Sequence, residues 1–352
     1  MKHLFSMATL LSLLIVSETL AQYPVKTIRQ IQEVPDSVLN SPPPADASPL
    51  LGDTVWVRGV VATSARVNGG PHLWFTGDRI RFAMKDPNDS IFNYITVVAT
   101  DTTFFNGIGL DLLVEGDSIE VLGRITEFRS LTQLEVIKVT DSYNLLGTST
   151  ANLNAIERPV SNFYTGITNT RNPGEKYESG FVKFTSLTVI GTSGAEFTVA
   201  DANGNQITVD DQSQQIFSAT PPPAGSQVNF VQGYMFTNSA LGWTINPRST
   251  ADYSVAFAPS VANIVRQDTF PTSTSTVTVK AKITTKSSTI TAADLYYSVD
   301  GVFGGKLVMT TSDSIYSATI PAANKDSALV TYYIRAANGD GKVSFSPADT
   351  VN

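Results

Sequence analysis

One phrase occurs three times in this chain. It reads GDTVWVRGVV from Gly52 to Val61 and GDSIEVLGRI from Gly116 to Ile125, with a looser copy, GSQVNFVQGYM, from Gly225 to Met235. In each copy a glycine and polar residues make a turn that launches an alternating strand, and the strand runs to a second glycine. That is how a small, strongly curved sheet is written: a turn, a period-two strand and a glycine where the strand bends. Gly59 and Gly123 are therefore predicted bend points. The first two copies are expected to be the opening strand and a later strand of one barrel, and the third to belong to a second barrel. No long amphipathic helix is written anywhere, so the expected class is all-β.

Lys2 and His3, the apolar run Leu10–Val16 and Thr19-Leu20-Ala21 have the layout of a secretory signal peptide over residues 1–21. The run is far shorter than the roughly 20 residues of a membrane span, and no other stretch is written to span. The expected location is secreted, extracellular or at the outer cell surface. The chain has no Cys, which excludes disulfides, thiolate catalysis, Cys-ligated metals and a lipidated-Cys anchor. Apolar cores must then hold the fold, and about 330 mature residues suggest two or three domains. Lys plus Arg number 24 against 31 Asp plus Glu, a net charge of −7. A non-specific nucleic-acid binder is usually basic, with clustered Lys and Arg, and the chain as a whole is not.

Residues 22–50 read as a lead-in, with a short segment at Thr27–Gln32 and the structure-blocking Pro42-Pro43-Pro44. A first module over 51–147 has predicted strands at 54–62, 80–85, 91–100, 118–127 and 134–141. A second over 148–255 has strands at 181–190, 196–200, 206–209 and 243–245 besides the third cassette, with a short helix near 212–219. The Asn203-Gly204 pair marks a hairpin. In the third module, 256–352, Val277, Val279, Ala281 and Ile283 share one face. Strands follow at 295–299, 307–309, 315–320 and 330–336, the spacing of a β-sandwich.

Five strands with a helical insert, twice over, is the pattern of the OB-fold barrel. The segment Gly116-Asp117-Ser118-Ile119-Glu120-Val121-Leu122-Gly123, with Glu127-Phe128 and Leu131-Thr132-Gln133-Leu134, resembles the closing strands of secreted bacterial OB-like domains. Such domains stand beside extracellular nucleases and in type IX secretion cargo proteins. Ser48–Val55 with Gly59-Val60-Val61, and Phe82 with Lys85-Asp86-Pro87, resemble the same domain's opening. Val199-Ala200-Asp201, Val209-Asp210-Asp211 and Pro247-Arg248-Ser249 with Asp252 resemble a partner domain. Tyr296–Gly301, Tyr316–Pro321 and Tyr332–Ala336 resemble an immunoglobulin/fibronectin type III-like module. The resemblance implies two OB-fold-like barrels in tandem followed by an immunoglobulin-like sandwich. It is specific for architecture and weak for activity. No nuclease module and no sorting tail is present by Asn352, so either a C-terminal sorting or anchoring region lies beyond it or the product is released.

Catalytic chemistry is sparse. Only His72 remains after signal removal, in a Gly-Gly-Pro turn without a nucleophile-elbow sequence, and no phosphate-cradling glycine loop follows a strand. Asp210 and Asp211 are sequence neighbours, so in a strand they would point to opposite faces. Asp201, Asn203 and Asn205 mimic half a calcium loop, but Gln212 stands where its closing glutamate belongs. A turn is the expected structure there, as at Asn338-Gly339-Asp340-Gly341. No catalytic residue, cofactor or metal is expected. The binding candidates are Arg66, His72, Trp74, Arg79, Arg81 and Lys85, where basic and aromatic residues interleave, joined by Arg124 and Arg129. OB barrels bind oligonucleotides or sugars on the second and third strands, and aromatics stack on bases while Arg contacts the backbone. The competing expectation is that Phe82 and Trp74 are core and the Arg residues solvated.

The expected function is that of a secreted, non-catalytic binding protein, with the barrels facing an extracellular ligand (single-stranded nucleic acid, glycan or protein) and the sandwich as spacer. The alternatives are a nucleic-acid-binding accessory of a nuclease system and, as a lesser one, a hydrolase of unrecognised type.

Overall fold

The alternating runs form the strands expected of them, in a computed structural model that describes residues 23–40, 46–65, 79–237, 242–267 and 270–347. The signal segment, Pro42–Pro44, Arg66, His72 and Trp74 lie outside the described residues.

The barrel ring of the first module consists of β1 (Thr54–Val61), β2 (Ile80–Lys85), β3 (Tyr94–Ala99), β4 (Asp117–Phe128) and β5 (Leu131–Val136). They join in the order β1-β2-β3-β5-β4, and β4 pairs back onto β1, which closes a five-stranded barrel. β3 and β5 run parallel and the other ring neighbours antiparallel. Val55, Val57, Phe82, Ile95, Val97, Ile119 and Val121 fill the interior. A short helix, Thr102–Gly107, connects β3 to β4, capped by Asp101, which accepts a bond from the Phe104 amide. The lead-in belongs to this barrel. Thr27 and Gln30 form a capping box on the helix Ile28–Gln32, and Ile28 and Ile31 are fully buried in the barrel's core.

The fifth strand begins three residues before its predicted start. Phe128 pairs with Leu131 across a two-residue turn in which Arg129 (φ 56°) and Ser130 (φ 64°) are both left-handed. Such turns favour Asn-Gly or Asp-Gly, and Arg-Ser carries no such signal.

The second module repeats the plan. β6 (Phe181–Ser193), β7 (Glu196–Ala200), β8 (Gln206–Val209), β9 (Gln227–Thr237) and β10 (Trp243–Asn246) close in the order β6-β7-β8-β10-β9, with β9 back on β6. β8 and β10 are the parallel pair, and the short helix Gln214–Phe217 sits before β9. Trp243, 2% exposed, is core, packed edge-on against Phe163.

The cassette glycines do two different jobs. The first of each, Gly52, Gly116 and Gly225, has φ between +87° and +97°, where side chains are strained. The last of each, Gly59, Gly123 and Gly233, is a point of close strand approach. A Cβ there would lie 2.5 Å from Met84 Cγ, 2.5 Å from Leu134 Cγ and 2.6 Å from the Asn246 carbonyl carbon. At Gly59 and Gly123 neighbouring strands leave no room for a side chain.

The third module packs two four-stranded sheets over one core. One sheet holds β11 (Ser260–Arg266), β12 (Val277–Thr284), β15 (Thr310–Ser312) and β16 (Ile315–Ile320). The other holds β13 (Ile290–Val299), β14 (Val302–Val308), β17 (Val330–Asn338) and β18 (Val343–Ser346). Val279, Ala281 and Ile283 point inward, as the alternation predicts. Tyr297 and Tyr332 pack against the core, while Tyr296 and Tyr333 stack on each other at 4.8 Å. Asp340 joins this module to β9 by accepting from Asn229 Nδ2 at 2.9 Å, and it also accepts from Ser287. No helix among the described residues is long and apolar enough to cross a membrane.

Candidate functional site

The alternation fails where the two barrels meet. All six residues of β2, IRFAMK, and all six of β3, YITVVA, are buried, so both strands are covered on both faces. The second cover is the other barrel. Ala62, Ala83, Tyr94 and Leu131 of the first barrel form one apolar cluster with Phe181, Tyr234 and Phe236 of the second. Tyr234 stacks on Phe181 at 4.8 Å, meets Tyr94 edge-on at 6.3 Å, and donates its hydroxyl to the Ala62 carbonyl at 2.7 Å. Thr96 and Ser179 share a buried bond of 2.8 Å. Arg248 lies over Phe181, bonds Asp252 twice and reaches Glu115 at 3.5 Å.

One end of this seam opens into a cleft of about 510 Å³ lined from both barrels, within the usual range of ligand sites. The first barrel supplies Arg81 from β2 and Phe128, Arg129 and Leu131 from the β4–β5 hairpin. The second supplies Glu196 at the start of β7, Asp210, Asp211 and Gln212 just past β8, and Phe236, Thr237 and Thr244. Thr237 donates to the Arg129 carbonyl at 3.0 Å, which ties the hairpin to the second barrel.

The predicted basic residues fall into three groups. Arg81 and Lys85 are 6% and 8% exposed, within the seam. Arg81 lies 4.4 Å over the Phe236 ring and donates from Nη1 to Gln212 Oε1 at 3.0 Å. Burial pushes its pKa down to about 9, against the pull of Asp210 and together with repulsion from Arg79. Lys85 donates to the Asn152 carbonyl at 2.5 Å, over Tyr94, and burial lowers its pKa as well. Arg129 is exposed at the cleft rim, its guanidinium 5.4 Å over Phe128. Arg79 is half-buried just before β2, and Arg124 is exposed on β4; neither lines the cleft. Phe82 is fully buried core.

Asp210 and Asp211 do not diverge as a strand would make them, because β8 ends at Val209. With Glu196 they bring carboxylate oxygens within 4.8 Å of one another. Burial first, then Asp211, raises the Asp210 pKa; burial first, then Asp210 and Asp211, raises that of Glu196. The Asp201 segment is a turn: its carboxylate accepts from the Asn203 and Asn205 amides at 2.9 and 3.0 Å and from Asn205 Nδ2 at 2.8 Å. Asn338 likewise accepts from the Asp340 and Lys342 amides.

Glu196, Phe236 and the seam aromatics were not singled out in the sequence. The one local signal was the unbroken run in β3, since two-sided burial replaces alternation with continuous apolar residues. Compared with known protein families and with curated proteins, the chain matches none.

Proposed function

We propose that this chain is a secreted, non-catalytic binding protein in which two OB-fold-like barrels in tandem form one ligand-binding unit and an immunoglobulin/fibronectin type III-like sandwich serves as spacer. The ring order, the parallel third–fifth strand pair and the helix before the fourth strand support the OB-like reading of each barrel. Secretion rests on the signal-like first 21 residues. The observation that carries the binding reading is the composite cleft: charged and aromatic side chains from both barrels converge on it, and Arg81 is held nearly buried at its wall. Its guanidinium is held there by Gln212 and the Phe236 ring.

A thermal-shift screen tests this. A ligand of the cleft raises the melting temperature of the wild-type protein by mass action, but not that of Asp211→Asn combined with Arg129→Asn, and it is recovered unaltered. Asn suits position 129 because it tolerates the left-handed backbone. Equal shifts in both proteins for every ligand that binds would remove the cleft from the function, and a cleaved ligand would overturn the non-catalytic reading. N-terminal sequencing of the secreted product, expected to begin at Gln22, tests the export step.

A further inference from the structure

We infer that the inter-barrel cleft takes a neutral, hydroxyl-rich ligand, an oligosaccharide segment, rather than a polyanion or a polycation. This deepens the reading of the cleft as the binding site and rests on it. The lining interleaves both signs of charge: Arg81 and Arg129 on one side, Glu196, Asp210 and Asp211 on the other. A phosphodiester or polyuronate entering here would bring its charge against three carboxylates whose oxygens sit within 4.8 Å of one another. A polycation would meet the two guanidinium groups. Each penalty is large in a partly desolvated cleft, where charges are weakly screened.

A sugar hydroxyl meets neither penalty, because it both donates and accepts. It can donate to Asp210, Asp211 or Glu196 and accept from a guanidinium. Bonds with one ionised partner are roughly twice as strong as neutral ones. Arg81 is a fixed wall, positioned by Gln212 and the Phe236 ring, so little side-chain entropy remains to be lost there on binding. The hydroxyls of Thr237 and Thr244 donate to the Arg129 and Phe236 carbonyls and keep lone pairs that can accept from a ligand. Phe128, 45% exposed at the rim with Arg129 over its ring, adds apolar surface to the lining. The cleft's lining thus suits a ligand that is polar all round and uncharged.

The test is titration calorimetry on the full-length mature protein with cellohexaose, laminarihexaose, xylohexaose, an oligogalacturonate and oligo-dT, at low and moderate salt. At least one neutral hexasaccharide is expected to bind, with an affinity that changes less than about twofold between roughly 50 and 200 mM salt, where polyanion binding falls steeply. Asp211→Asn and Arg129→Asn are each expected to weaken it about tenfold or more, the loss of one charge-assisted bond. Binding confined to oligogalacturonate or oligo-dT, salt-steep, lost in Arg129→Asn and strengthened in Asp211→Asn, would overturn the ligand class and leave the cleft as the site. A neutral glycan bound equally by wild type and variants would overturn the cleft itself. Binding by no neutral glycan would overturn the ligand class.

Discussion

Glu178 makes the barrel seam sensitive to pH, and Glu178→Gln measures by how much. The residue is 3% exposed, and its Oε1 accepts the Thr132 amide of the first barrel at 3.0 Å. Glu127 accepts from the same residue's hydroxyl at 2.6 Å and from the Ser48 amide at 3.1 Å. The second oxygen of each carboxyl is buried without a hydrogen-bond partner. Burial holds the Glu178 pKa well above the usual carboxylate range, and Glu175, Glu127 and Asp46, all acidic, push it the same way. The raised pKa fixes the sign. Between the unfolded value near ~4.3 and the folded value, the folded protein holds a proton that the unfolded chain has released. Stability from this group is therefore full below the unfolded pKa and is lost as pH rises to the folded one, by about 1.4 kcal/mol per pH unit. Glutamine mimics the protonated acid and keeps the acceptor for Thr132. In urea titrations stepped upward from about pH 4.5, the variant is expected to gain on the wild type as pH rises, by up to about 1.4 kcal/mol per unit, until the folded pKa is passed. Glu127, whose pKa burial also raises, interacts with Glu178 through its charge, so the difference reports the pair and not Glu178 alone. Parallel stability curves, or a variant that loses ground as pH rises, would refute the reasoning.

Tyr234→Phe removes the 2.7 Å bond to the Ala62 carbonyl and leaves a buried acceptor unpaired, which should cost about 1–3 kcal/mol in urea unfolding. Gly123→Ala would place a Cβ 2.5 Å from Leu134 and 3.0 Å from the Glu135 carbonyl, an overpacking cost of about 1–3 kcal/mol. At Gly107 a Cβ meets nothing within 4 Å, so Gly107→Ala is the matched control, expected not to destabilise in calorimetry. Asp340→Ala removes the bond to Asn229 and should broaden the small-angle scattering profile through sandwich motion, while the barrels' melting temperature holds.

Strand positions were legible because alternation is a local property. Ile80–Lys85, Glu196–Ala200, Gln206–Val209 and Ile315–Ile320 stand where periodicity put them. The inward side of Val279, Ala281 and Ile283 was legible for the same reason, while the core placement of Phe82 was one of two competing expectations. The seam was not. Tyr94, Phe181 and Tyr234 contact partners far away in sequence, and a residue that faces away from its own barrel reads as solvent-facing until the second barrel is known. The acidic group at the cleft was not legible because Glu196 lies on another strand, far in sequence from Asp210 and Asp211, which stand just past the end of theirs. Arg81 and Lys85 carry charge that is legible in the sequence, but the burial that alters their chemistry comes from the second barrel at Arg81 and from the joining stretch at Lys85.

The stretch joining the barrels has a consequence for how such a protein could be inherited. Leu153 and Ala155 pack into the seam, and the Asn152 carbonyl holds Lys85. Recombination that cut the gene here and spliced in a foreign second barrel would leave Tyr94 and Ala83 exposed, and an apolar patch of that kind invites aggregation. The two barrels are expected to be shuffled as a pair. The sandwich, tied to β9 by a bond between two exposed polar side chains, is the part a lineage could exchange at little cost.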